Sequence, residues 1–184
     1  MSTGARASAC GMDLLAELLR EDGGLVAELV GADEEPVGPG GPSPAVVAAS
    51  GPRTRGRRDE YELLVEAIYE GYLLHYGAPR VLRSSDADLG LLAGDQLYAI
   101  GLARLVALGD TVAVAELADT ITLSAMAQAG GSPELADAVW AAGAHAVGWG
   151  SSDTHREAKE LVLDGAPAAI EAMRTSAECV PAAP

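Results

Sequence analysis

The run LGLLAGDQLYAIGLARL, from Leu89 to Leu105, decides the fold of this chain. It reads as a helix that is apolar on nearly every side, interrupted only by Asp95, Gln96 and Arg104. Such a helix must be covered by the core of its own domain, by a partner or by lipid. At 100° per residue, Gln96 and Arg104 lie about 80° apart around the axis, whereas Asp95 and Arg104 lie about 180° apart. With Gln96 and Arg104 marking the wetter side, Asp95 is expected to point into the packed side. A buried carboxylate is costly unless it finds a cation or hydrogen-bond donors. Asp95 is therefore expected to have a partner, either within the chain or across a subunit boundary.

The composition agrees with a helical reading. The chain has 184 residues, enough for one domain with accessory segments. It is 49% hydrophobic but only 4% aromatic, with no Phe, so Ala, Leu and Val must carry the packing. That favours closely packed helices over a sheet. A formal net charge of −15 opposes nucleic-acid binding and attachment to anionic membranes. No apolar stretch follows a basic start, so no signal peptide is expected and the cytoplasm is the default location. Leu89–Leu108 has the length of a membrane span. Asp95 and Arg104 lie inside it, at about 2.5–3.5 kcal/mol each near a bilayer centre, so a buried helix is expected and not a transmembrane span. Cys10 and Cys179 sit near opposite ends without metal-ligand spacing and are expected as free thiols.

Three regions follow from the punctuation. Residues 1–35 form an N-terminal helical segment: Leu14, Leu15, Leu18 and Leu19, then Val26, Leu29 and Val30, give an apolar stripe broken at Gly23-Gly24. Residues 36–58 read as a mobile linker, because Pro36 to Pro44 is too rich in Pro and Gly for helix or strand. Residues 59–180 read as the domain proper, a compact all-α bundle of about six helices. Its first helix carries Tyr61, Leu64, Val65, Ile68, Tyr72 and His75 at helical spacing and stops at Gly77-Ala78-Pro79. Ser84, Ser85 and Asp86 cap the opening run, and Gly109-Asp110 ends it and caps the next helix. Ser132-Pro133-Glu134 starts another, Asp153 caps a short amphipathic one, and Gly165-Ala166-Pro167 opens the last.

No catalytic constellation converges. There is no Asp-Asp-x-x-Asp, no Asn anywhere, and one lysine, Lys159. Asp86 and Asp88 are two apart, which on a helix places them about 200° from each other, so they read as capping residues and not as a metal face. His75, His145 and His155 lack metal-ligand spacing; His145 is expected in the core and His155 on the surface. Arg53, Arg55, Arg57 and Arg58 place four of the 12 basic residues within six positions. They read as a solvated basic segment or, alternatively, as a contact for anions such as a diphosphate.

Leu92-Ala93-Gly94-Asp95-Gln96-Leu97-Tyr98-Ala99 resembles the Gly-Asp helix that follows the first aspartate-rich motif of trans-isoprenyl diphosphate synthases. Glu66 to His75 resembles the helix that ends there in Leu-Leu-His-Asp-Asp, but here the chain continues Tyr76-Gly77, without the metal-binding aspartates. The likeness spans about residues 59–150 and is greatest to the short non-catalytic subunits of heteromeric polyprenyl diphosphate synthases. It implies a truncated isoprenoid-synthase-like bundle with no catalytic residue, metal site or cofactor of its own. Mg²⁺ is expected only in a catalytic partner chain. The implied interface, to that chain or to a second copy of this one, includes Leu91, Gly94, Asp95, Tyr98 and Leu102. The alternative is a free-standing helical module that binds a hydrophobic small molecule or a protein.

Overall fold

The computed structural model describes residues 10–31 and 42–179. It is all-α. Among the described residues there are nine α-helices: α1 Gly11–Asp22, α2 Gly24–Glu28, α3 Pro44–Ser50, α4 Arg58–Tyr76, α5 Ala87–Ala107, α6 Thr111–Ala129, α7 Pro133–Trp149, α8 Asp153–Leu163 and α9 Ala169–Glu178. A 3₁₀ turn, Arg55–Arg57, leads into α4, and one antiparallel bridge joins Val30 to Leu82.

Local chemistry places the helix ends. The Asp86 carboxylate accepts from the amides of Asp88 (3.0 Å) and Leu89 (3.2 Å) at the start of α5, and Asp110 accepts from Ala113 (3.0 Å) at the start of α6. Pro133 opens α7 at the first helical position. The cap of α8 is one residue earlier than expected: Ser152 accepts from the His155 amide at 3.1 Å, and Asp153 is already helical. The turn after α5 passes through Gly109 at φ +77°, a backbone conformation that side chains disfavour. The interruption expected at Gly23-Gly24 separates α1 from α2.

The linker expectation for 36–58 is corrected over the described part. Ser43 caps a helix there, α3, whose Ala45, Ala48 and Ala49 are fully buried between α4 and α7. Small alanines allow this tight insertion, and the Thr54 hydroxyl donates to Ala48 O at 2.8 Å to close the turn that follows. Residues 36–41 of the expected linker, like 32–35 of the N-terminal segment, lie outside the described residues. The bundle is therefore larger than the six helices expected from residue 59 onward. It takes in α3, and α1 also docks on it through Leu15 and Leu19. The central core joins α3, α4, α6 and α7 around Ile68, Leu117 and Trp140. A second cluster fixes α1 on α4 and α5, and a third fixes α8 and α9 on α7.

Candidate functional site: two faces of the long apolar helix

Helix α5 is covered along one face only. Its inner face, Gly90, Ala93, Gly94, Leu97, Gly101 and Leu105, is buried against its neighbours. The crossing with α4 is close because glycines line it. A Cβ on Gly71 would stand 2.9 Å from Gly94 O, and one on Gly94 would stand 2.8 Å from the His75 ring. That ring stacks parallel on Tyr98 at 5.5 Å between centroids. The Tyr98 hydroxyl is buried with no hydrogen-bond partner among the described residues, and burial raises its pKa.

The outer face carries Leu91, Leu92, Ala99, Ala103 and Val106, all exposed, with Leu92 at 64% and Val106 at 57%. By length and composition, α5 is the one described helix that could cross a membrane.

The five interface residues expected from sequence thus divide between faces. Leu91 and Asp95 are exposed, Tyr98 and Leu102 are half-buried against the central core, and Gly94 is buried on α4. The expectation that Asp95 points into the packed side is corrected: its side chain is 69% exposed. Its Oδ1 lies 3.2 Å from His75 Nε2, within ion-pair distance but not aligned as a hydrogen bond. Arg104 and Gln96 do not mark the wet side alone, because the whole sector between Asp95 and Arg104 faces outward.

The basic segment also divides. Arg53 is an internal tie: its guanidinium donates to Val147 O at 2.6 Å and to both Asp110 oxygens at 3.1 and 3.2 Å. Tyr61 donates to the same carboxylate at 2.6 Å, and burial together with that bond pushes its pKa up to about 12. Arg57 lies 3.7 Å from Glu60, and Arg55, Arg57 and Arg58 are exposed, as a solvated segment requires.

Two buried polar networks were not singled out from sequence. On α4, Glu62, Glu66 and Glu70 form a buried ladder four residues apart. Glu62 accepts from the Gly11 amide (2.9 Å), the first of α1. Glu70 accepts from the amides of Arg80, Val81 and Leu82 at 2.7–3.0 Å, which shapes the α4–α5 loop. Glu66 pairs with the Arg80 guanidinium, which also lies over the Tyr69 ring. Burial nevertheless raises the Glu66 pKa to about 7, against the pull of Arg80.

The second network corrects the surface placement of His155, which is 3% exposed. Its Nε2 lies 2.7 Å from Glu116 Oε1 and its Nδ1 3.0 Å from Ser176 Oγ, while Lys159 donates to Glu116 at 2.9 Å and to Asp119 at 2.8 Å. Burial pushes the Glu116 pKa up, but the bonds and charges of His155 and Lys159 outweigh it and hold the carboxyl below its ordinary range. Serine, histidine and glutamate in a row suggest a nucleophile, but Ser176 is buried and donates to Met173 O at 2.9 Å. The row fastens α8 and α9 to α6. His145 lies in the core, as expected, stacked on Trp149 at 4.6 Å.

A groove of about 420 Å³ opens between the α6–α7 and α8–α9 corners, with Met126, Leu135, Val162, Leu163 and Ile170 in its walls and no charged residue. Among the described residues no three His, Cys, Asp or Glu side chains are grouped as metal ligands. Cys10 and Cys179 are free thiols. No family model, curated protein or solved structure matches this chain.

Proposed function

We propose that this chain is a non-catalytic subunit of a heteromeric trans-polyprenyl diphosphate synthase, and that it supports chain elongation by a catalytic partner. The observation that carries the reading is the outer face of α5. Leu91, Leu92 and Val106 stand exposed on a 21-residue helix whose other side is fully packed. Contiguous exposed apolar surface on a soluble chain marks an interaction site. The resemblance of residues 59–150 to that family supplies the partner, and the lack of any Asp-Asp-x-x-Asp in the sequence supplies the division of labour. Prenyl transfer needs carboxylate clusters that hold Mg²⁺ against the departing diphosphate, and the partner would provide them.

The test is coexpression with a full-length trans-polyprenyl diphosphate synthase from the same genome. The two chains are expected to copurify, and Leu92→Glu together with Val106→Glu is expected to abolish the complex while leaving the fold intact. Copurification that survives both substitutions would refute this surface as the interface.

The groove between the helix corners favours a second reading, a module that binds a neutral apolar small molecule. Its volume lies within the roughly 300–1,000 Å³ of small-molecule pockets. Organic extraction of the purified protein followed by mass spectrometry decides it: a stoichiometric apolar compound supports this reading, and clean extracts refute it.

A further inference from the structure

The three buried glutamates of α4 each fasten a different part of the chain. Glu62 accepts from the Gly11 amide at 2.9 Å, the first amide of α1. Glu66 pairs with Arg80 and stands 3.5 Å from the hydroxyl of Ser43, the cap of α3. Glu70 accepts from the amides of Val81 and Leu82 at 2.7 and 2.9 Å, and Leu82 bridges to Val30 behind α2. One turn apart on one helix face, the three carboxyls are neighbours. The groups that face Glu66 are Glu62, Glu70 and Tyr69 of α4, Arg80 of the loop that follows and Ser43 of α3. Arg80 is the one cation among them, and it also lies 3.8 Å from Glu70. Three ionised carboxylates against one guanidinium leave a net negative charge in a nearly dry site, so a proton held there is favoured. Burial accordingly lifts the Glu66 carboxyl to about 7, against the pull of Arg80 and with the help of Glu70 and Glu62.

The outer end of this ladder is covered by α1. A Cβ on Gly11 would stand 2.9 Å from Glu62 Cγ, and Glu62 is 8% exposed against 1% for Glu66 and 0% for Glu70. Among the described residues, the one ion pair between α1 and the bundle is Asp22 with Arg104, at 4.0 Å and exposed on both sides. Beyond Asp22 the chain passes through Gly23 and Gly24 at φ +70° and +73°, where a Cβ would meet nothing within 4 Å, so the joint has room to turn. We propose that α1 is a strap latched over the glutamate ladder by a proton held there, and that loss of the proton releases the strap about Gly23-Gly24. Ionisation of all three carboxyls loads the latch with like-charge repulsion, and departure of α1 lets water reach the ladder from Glu62 inward. The bridge of Val30 to Leu82 stays in place, because Glu70 holds the Leu82 amide. Release bares Ala67 of α4 with Ala93 and Leu97 of α5, which pack with Leu15 and Leu19 in the latched form. At 100° per residue, that sector joins the exposed strip of Leu92, Ala99, Ala103 and Val106 and widens the apolar surface of α5 to about half its circumference. The latch needs no partner chain and is independent of the proposed role in prenyl transfer.

Once α1 has left, the Glu66 carboxyl meets water and returns toward its ordinary 4.5. The latched form binds the proton more tightly, so release grows as pH rises from about 4.5 to about 7, by a total on the order of 100-fold, and levels off above. The experiment is residue-resolved amide exchange on the full chain at about pH 5 and about pH 8, corrected for intrinsic rates and repeated at low urea. Amides of α1 are expected to exchange faster than those of α7 at both pH values, through an opening that urea hardly promotes, and to lose on the order of 100-fold in protection at the higher pH. Glu66→Gln, which keeps the shape and removes the charge, is expected to hold α1 protection level across the range. Protection in α1 equal to that in α7, with the same urea dependence, would mean that α1 leaves only in global unfolding and would overturn the strap. An α1 protection indifferent to pH in the unsubstituted protein, or a pH dependence that survives Glu66→Gln, would overturn the latch.

Discussion

Substituting Gly101 by Ala asks which face of α5 is structural. On helix propensity alone the change should stabilise the protein by up to about 1 kcal/mol, since Gly is the poorest residue short of Pro in a helix interior. The packing says otherwise. A Cβ at residue 101 would strike Ile68 Cγ1, lie 2.9 Å from Ile68 Cδ1 and lie 3.0 Å from the Leu64 carbonyl oxygen. Ile68 is fully buried in the central core, and its branched Cβ restricts χ1, so it cannot swing aside. The Leu64 oxygen belongs to the α4 backbone, so α4 and α5 must separate. Overpacking of this kind costs about 1–3 kcal/mol. After the propensity gain, a net loss of up to about 2 kcal/mol is expected, read as a lower urea midpoint by far-ultraviolet circular dichroism with the slope unchanged. Ile68→Ala makes the clash removable, so the double variant should be less destabilised than the sum of the singles by at least about 1 kcal/mol. Gln96→Ala, on the exposed face, should change little. A Gly101→Ala protein more stable than the parent, or strict additivity with Ile68→Ala, would refute this placement of α5 on α4.

Other predictions follow from the buried polar networks. The Glu66 pKa of about 7 in the folded chain lies above its ordinary value of 4.5, so the native state binds the proton more tightly than the unfolded state. Stability should therefore fall as pH rises from about 4.5 to about 7 and level off beyond, by at most about 3 kcal/mol. Glu66→Gln should remove most of that slope, and an unchanged profile in chemical denaturation would contradict it. His155→Ala should cost about 2–4 kcal/mol by leaving buried Glu116 and Ser176 short of a partner. Amide exchange in α9 should then speed up more than in α4. Gly94→Leu should unfold the domain and not merely dissociate it, because residue 94 meets His75 and the Gly71 carbonyl oxygen; a folded variant by circular dichroism would show that this crossing is looser than described.

How much of this was legible in the sequence depends on the kind of signal. Caps and stops were: Asp86, Asp110, Pro133 and Gly109 act locally, and their chemistry is complete within a few residues. The course of α4 and the breaks around it follow from apolar spacing alone. Helix α3 was hidden because its signal is negative. Three alanines show no amphipathic stripe, and only the space between α4 and α7 gives them a role. The facing of α5 was hidden for a related reason. Where nearly every residue is apolar, periodicity cannot say which side is covered, and the two glycines at the α4 crossing, Gly94 and Gly101, decide it through contacts distant in sequence. Asp95 points inward only if Gln96 and Arg104 mark the wet side, and the exposed sector instead runs from Arg104 round to Asp95. The Glu62, Glu66 and Glu70 ladder left no trace, because it lies about 150° around α4 from the stripe of Tyr61, Leu64, Val65, Ile68 and Tyr72, where carboxylates read as a solvated face, whereas His155 shares the buried stripe of Ala158 and Val162. Only His155 could have been recognised from spacing. Their partners, the Gly11 amide, Arg80, Ser176 and Glu116, could not.

The proposed role is that this chain assists prenyl transfer by a catalytic partner. Its most direct test is an elongation assay with isopentenyl diphosphate, an allylic diphosphate and Mg²⁺, run on this protein alone, on a full-length trans-polyprenyl diphosphate synthase from the same genome, and on the two combined. The account predicts no elongated product from this chain alone and a changed rate or product length when it is combined with the catalytic chain, with that change lost on Leu92→Glu and Val106→Glu. Sustained turnover by this chain alone, or a catalytic chain indifferent to its presence, would contradict it.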